Sequence, residues 1–315
     1  MKTILTFKKH QIIYDVEYDF NKKGKDMHKF VNEFMQPQTP YLYDTVSLKK
    51  YCDGKFDAYI VGSDQVWRAI YVPDIKNYFL DFTEGWNIRR IAFAASFGTD
   101  TPEYTPVQIE QCGELLKTFD GISLREKSGM EVFKHFGWSI DSVQVVLDPT
   151  MLLSAKDYSK ILPVNKAKSV NKIFYYVLDR NQIIESVLIR SQTLLGKEIF
   201  GISNIQKGDN VLIPIEEWLV NIRDADFVIT DSFHGMVFSI IFHKPFVVSV
   251  NLARGADRFT SLLSLLGIEN RMLTPTRQVK DVVLNDIDWE KVDEKLLDMK
   301  TKSKVFFKEV LVNYN

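Results

Sequence analysis

The residues of this chain with the clearest chemical potential sit in one run, 227–245, FVITDSFHGMVFSIIFHKP. An apolar strand ends at Asp231 and Ser232, and a helix begins near His234 and Gly235. The first-turn amides of such a helix point at whatever occupies the strand's end. With the helix dipole, they attract a phosphate or a carboxylate. Ser232 has the side chain of a cap, Gly235 permits close approach to the backbone, and His234 brings the side chain that titrates near neutrality. A blander reading stands beside this one, in which Asp231 and Ser232 are plain caps and His234 is a half-buried, hydrogen-bonded ring. His243, at the far end of the helix beside Lys244 and Pro245, reads as structural.

Other polar residues fall at the ends of apolar runs. Arg125 closes GISLR and offers a planar fork for phosphate or carboxylate, although from the residue alone a local surface pair with Glu126 is the plainer reading. Arg254 and Arg258 lie in NLARGADRF; Arg258 opens a helix and can face the same cleft, while Arg254 has the usual exposed setting of a loop arginine. Ser63, Asp64 and Gln65 follow DAYIVG and suit a hydroxylated ligand, or else form a turn with Trp67 packed beneath it. Asp148 before Pro149 reads as a turn closing the first half of the chain, and Lys300, Lys302 and Lys304 as the solvated face of a helix.

The elements that must position these residues are legible as eight short apolar runs, at 57–63, 90–98, 121–126, 143–149, 172–179, 197–203, 226–232 and 245–250. Nearly continuous apolar strands are what a parallel sheet covered on both faces requires, and helical stretches fill the gaps. Thr105, Pro106 and Gln108 spell a capped helix start, and Ser128 with Glu131 repeats the capping-box spacing. A last helix over about 289–312 carries the apolar stripe Val292, Leu296, Met299, Phe306 and Val310, so it packs back across a domain. The Lys- and Ser-rich stretch 151–171 separates two doubly wound, Rossmann-like halves, 1–153 and 154–315, with ligands expected in the cleft between them.

Composition narrows the function. The chain has 315 residues, with 40 Lys and Arg against 41 Asp and Glu, so bulk charge does not draw it to nucleic acid. A hydrophobic content of 45%, with 22 Phe and 13 Tyr, supports a large core. No apolar run is long enough to span a bilayer, and nothing at the N-terminus reads as a signal peptide, which points to a cytoplasmic protein. Cys52 and Cys112 are isolated and build neither a disulfide framework nor a zinc site. There is no GxGxxG and no Walker motif, which argues against a conventional dinucleotide or P-loop enzyme.

The ordered series FDAYIVGSDQVW, YFLDF, RRIAFAASFG, GISLREKSG, VVLDPTMLL, TDSFHGMVFSIIFHKPFV and ADRFTSLLSLLGIENR, from about residue 56 to 271, resembles the polysaccharide pyruvyl transferase family. GSDQVW and TDSFHG are its most specific segments. The resemblance implies a fold similar to GT-B glycosyltransferases. It also implies transfer of pyruvate from phosphoenolpyruvate to sugar hydroxyls, of a polysaccharide or its lipid-linked precursor, as a cyclic ketal. The family's functional histidine falls on His234 and its strand-end arginine on Arg125; the chemistry makes His234 the candidate general acid/base. The donor site is then Arg125, Ser232, Gly235 and Arg258, the acceptor side Ser63, Asp64 and Gln65, and no metal or cofactor is called for. One departure is visible: the family's opening strand and Asn-Tyr-Gly-Ala-like loop have no counterpart in MKTILTFKKHQIIYDVEY, with no glycine before Gly24. Two other readings are a GT-B-type transferase using a nucleotide sugar and a non-catalytic sugar-binding protein of polysaccharide assembly.

Overall fold

The computed structural model describes residues 4–5, 12–13, 25–100, 103–163, 169–203, 213–250 and 256–312. Arg254 lies outside them, as does most of the N-terminal run that lacks the family's glycine loop. What is described there is a short antiparallel pair, Ile4–Leu5 with Ile12–Ile13.

All eight apolar runs form strands: β1 Ala58–Val61, β2 Arg89–Ala95, β3 Gly121–Leu124, β4 Val143–Val145, β5 Ile173–Val177, β6 Ile199–Ser203, β7 Phe227–Thr230 and β8 Phe246–Val248. They make two four-stranded parallel sheets, ordered β1-β2-β3-β4 and β8-β7-β5-β6. The apolar runs are continuous because both faces are covered; every residue of β7 is buried, as is β2 from Ile91 onward. In the second sheet the order reverses between β5 and β7. A crevice opens outside the carboxyl ends of strands at such a reversal.

Helix α1 (Pro106–Leu116) starts as its sequence dictates: the Thr105 hydroxyl accepts from Gln108 N–H and the Gln108 side chain accepts from Thr105 N–H. Helix α2 (Ser128–Phe136) corrects the second capping box, because Lys127 is the cap and no side chain serves it. The chain winds directly from β3 into the helix, with Gly129 and Met130 N–H already bonded to the carbonyls of Glu126 and Lys127, so Ser128 arrives inside the first turn. Helices α3 (Phe233–Ile241) and α4 (Asp257–Leu266) follow β7 and β8.

The last helix, α5 (Trp289–Val312), touches both sheets' cores. Val292, Leu296 and Met299 join the apolar cluster of the second sheet, whereas Phe306 and Val310 pack with Ile91 and Phe93 of β2. Between these groups the Ser303 hydroxyl accepts from Leu147 N–H at 3.0 Å. Lys302 pairs with Asp298 on the exposed face, but Lys300 departs from that face and donates to the Leu153 carbonyl. Cys52 and Cys112 are buried free thiols, and among the described residues no helix is long and apolar enough to cross a membrane.

Candidate functional site

The carboxyl ends of β1 to β4 carry most of the site's charges. After β1, Gly62 has φ +119°, and an added Cβ would overlap the Phe93 carbonyl, so only glycine lets the loop cross β2 this closely. Asp64 follows in the left-handed region, φ +66°. Strand β2 ends in a bulge, where its register with β3 shifts between Ala92 and Ala95. The Ser123 hydroxyl holds the bulge, donating to Ala92 O and accepting from Ala94 N–H. That irregularity brings the Ala95 carbonyl to Arg125 N–H and Ser96 beside Glu126, the re-aiming that bulges perform near sites.

Arg125 is the centre of this cluster. Its side chain is buried, so the surface pair with Glu126 is corrected: the guanidinium lies 2.9 Å from Asp148 Oδ2, 3.1 Å from Asp64 Oδ1 and 3.5 Å from Glu126 Oε2. Burial alone would lower its pKa, but the three carboxylates outweigh this and raise it. Glu126 is buried with it, accepting from the Ser96 hydroxyl at 2.6 Å. Burial raises its carboxyl pKa against the opposing pull of Arg125.

Asp148 is more than the turn its Asp-Pro sequence suggests. Its Oδ1 accepts from Thr150 N–H and hydroxyl, which is the turn. Its Oδ2 is buried in the site, accepting from Arg125 and from the Ser63 hydroxyl at 3.2 Å, and stands 3.7 Å from His234 Nε2. Burial pushes this carboxyl up, yet the facing His234 ring and Arg125 hold it far below the usual carboxylate range.

The second sheet contributes two helix starts, of α3 and α4. Ser232 caps α3, its hydroxyl accepting from Gly235 N–H at 3.3 Å, and His234 enters the cleft from the first turn. Asp231 is not a cap of this helix; its carboxylate accepts from Leu178 and Asp179 N–H and so fixes the loop after β5. Gly235 does not open the backbone to a ligand. Its N–H is taken by Ser232, and an added Cβ would strike the Thr230 side chain, so the glycine serves the packing of α3 on β7. Phe233 lies close to two cations, with the Arg125 guanidinium 4.6 Å and that of Arg258 5.5 Å from its ring centroid.

Arg258, the second residue of α4, is buried and places Nη1 3.9 Å from Asp64 Oδ1. Burial and the neighbouring Arg125 lower its pKa. Ser63, Asp64 and Gln65 reach the same cleft but are engaged there, Ser63 with Asp148, Asp64 with Arg125, and Gln65 with Arg68 at 3.3 Å. Trp67 packs beneath them, fully buried and stacked on Phe79. His243 is remote, stacked on Trp289 and 2.9 Å from Asp293, in agreement with a structural role. Sequence reasoning missed Asp148, Glu126 and Phe233 as members of this cluster. The available signal was that VVLDP ends at the same carboxyl edge as GISLRE.

Comparison with known proteins follows the same outline. The family profile described as polysaccharide pyruvyl transferase matches residues 2–251. Among curated proteins no relative matches the sequence. Solved structures share the fold across most of the chain at low identity. A UDP-N-acetylglucosamine 2-epimerase structure has TM-score 0.55 and 12% identity, covering 93% of this chain and 86% of its own. The S. aureus MnaA–UDP structure has TM-score 0.52 and 12% identity, covering 90% and 85%. The UDP-GlcNAc 2-epimerase from Neisseria meningitidis, bound to UDP-GlcNAc, has TM-score 0.50 and 10% identity, covering 93% and 90%. The two parallel sheets are therefore the halves of a GT-B-type fold.

Proposed function

The chain belongs to the polysaccharide pyruvyl transferase family, and from that premise we propose that it transfers pyruvate from phosphoenolpyruvate to two hydroxyls of a sugar, forming a ketal. The observation that carries this reading is the setting of His234. Its ring is half-exposed to the cleft, 3.7 Å from the buried Asp148 carboxylate, at the place where Arg125 and Arg258 both approach Phe233.

In this mechanism the donor's phosphate and carboxylate are held by Arg125 and Arg258, assisted by the positive end of α3. Protonated His234 gives its proton to the donor's methylene carbon, and a sugar hydroxyl attacks the adjacent carbon. Asp148 faces Nε2 at 3.7 Å and orients the ring toward the donor. The carbon–oxygen bond to phosphate then breaks and phosphate leaves with the electron pair. A second hydroxyl of the sugar attacks the resulting oxocarbenium carbon and closes the ring. Of the two hydroxyl protons released, one balances the proton placed on the new methyl group and the other leaves with phosphate. A positioned acid/base of this kind contributes about 10²- to 10⁴-fold. The acceptor, a polysaccharide unit or its lipid-linked precursor, enters past Ser63, Asp64 and Gln65, and we place the reaction in the cytoplasm with no metal required.

The test incubates the protein with phosphoenolpyruvate and candidate lipid-linked sugars, in chelator, and follows both released phosphate and acceptor mass. Phosphate release with a pyruvyl ketal on the acceptor is expected. Release of a nucleotide from a nucleotide sugar instead would assign sugar transfer on the same fold, and sugar binding without turnover of either donor would assign a non-catalytic role.

A further inference from the structure

The proposed donor site is an anion site whose cations already have resident anionic partners. Arg125 and Arg258 face three carboxylates, those of Asp64, Glu126 and Asp148. A phosphate arriving here meets guanidinium groups that carboxylates already face, at distances where one extra unit of negative charge matters. The three carboxylates differ in their freedom. The side chains of Asp148 and Glu126 are 2% and 3% exposed, and each accepts additional hydrogen bonds, from Ser63 and Thr150 or from Ser96. The side chain of Asp64 is 57% exposed, and its carboxylate touches Arg125 at 3.1 Å and Arg258 at 3.9 Å.

The backbone of Asp64 is fixed while its side chain is not. Its carbonyl accepts from Ser96 N–H at 3.0 Å and Val66 N–H at 2.8 Å, so rotation about the side-chain bonds alone carries the carboxylate from the arginines into solvent. Its left-handed φ is one that Asp, Asn and Gly adopt and that other residues resist. We propose that Asp64 is the resident anion of the Arg125–Arg258 pair, given up to a donor that brings two anionic groups. It thereby selects such a donor over inorganic phosphate. A ligand with both a phosphate and a carboxylate replaces the contacts Asp64 makes to both arginines. A lone phosphate replaces them less completely and still meets the carboxylate nearby, so the leaving phosphate is also less well retained. This rests on the donor reading above, and it deepens the role of Asp64 from acceptor contact to donor selectivity.

The experiment measures binding of inorganic phosphate and of phosphoenolpyruvate by calorimetry at fixed ionic strength. Wild type is compared with Asp64→Asn, with Asp64→Gly as a second variant that keeps the backbone geometry, and with Asp298→Asn as an equal charge change far along α5. Phosphate is expected to bind about tenfold more tightly to both Asp64 variants, with a smaller gain for phosphoenolpyruvate and no change in Asp298→Asn. Phosphate affinity unchanged or weakened in folded Asp64→Asn and Asp64→Gly would overturn the proposal, as would an equal gain for both ligands. If phosphate tightens but phosphoenolpyruvate binds none of the proteins, the donor reading fails while the displacement of Asp64 from its arginines stands.

Discussion

The two sheets equip the same cleft in opposite ways. The ends of β1 to β4 deliver Asp64, Arg125, Glu126 and Asp148, a charged cluster whose members are bonded to one another. The ends of β5 and β7 keep their polar groups for internal use: Thr230 bonds the Tyr176 carbonyl and Asp231 bonds the amides after β5. What this half offers the cleft is two helix starts, α3 bearing His234 and α4 bearing Arg258. One half therefore supplies most of a prepaid electrostatic frame, and the other adds Arg258 to it and, in the proposed mechanism, the proton. Changes on the first side should be felt in folding and donor affinity together, whereas the change at His234 should be felt in turnover almost alone.

The sharpest way to break that division is His234→Gln, which keeps a hydrogen-bonding side chain but removes proton transfer near neutral pH. Turnover is expected to fall by ~10²-fold or more with donor affinity far less affected. His243→Gln, in a partly exposed pair, should change stability by less than about 1 kcal/mol and turnover not at all. Near-normal turnover in His234→Gln would remove the acid/base role, and an equal loss in both variants would assign the effect to α3.

Next in size is Asp148→Asn. It leaves the buried Arg125 short of a counter-charge, a change that costs about 3–5 kcal/mol when one partner of a buried pair is lost. Chemical denaturation reads this directly. The pH dependence has a definite sign, because the Asp148 pKa in the folded state lies below its unfolded value. Its stabilisation is complete above about pH 4 and is lost as pH falls further. Wild type should thus shed stability on acidification more steeply than Asp148→Asn. Parallel acid curves for the two would show that the carboxylate contributes nothing to folding. The smallest effect concerns the opposite side: Gly235→Ala forces a methyl group against Thr230 and should destabilise by about 1–3 kcal/mol. Unchanged melting would mean that α3 can lift from β7 at no cost.

The elements were legible where local chemistry decides them. The eight strands follow from apolar runs that need cover on both faces, and Thr105 to Gln108 specify their helix start without help from the rest of the chain. The site was legible in part, at His234, Arg125 and Arg258, because these residues sit beside strand ends or helix starts. What escaped depends on partners far away in sequence. An arginine read alone has a surface prior, and only the meeting of residues 64, 125 and 148 buries Arg125. Asp-Pro is a sound turn signal, and Asp148 does make the turn with one oxygen while the other serves the site. Gly235 misled for a related reason, since nothing local reveals that its missing side chain faces Thr230 rather than a ligand.

The bond between Leu147 N–H and Ser303 spans 156 residues of sequence, and it lies one position before Asp148. Loops of this length close slowly, and contacts across them form after the local ones. Because α5 covers β2 on one side and packs with the second sheet on the other, the first half finishes its apolar face only when the end of the second half has docked. Its folding is thereby made contingent on its partner's, and the expected signature is one shared unfolding transition rather than two.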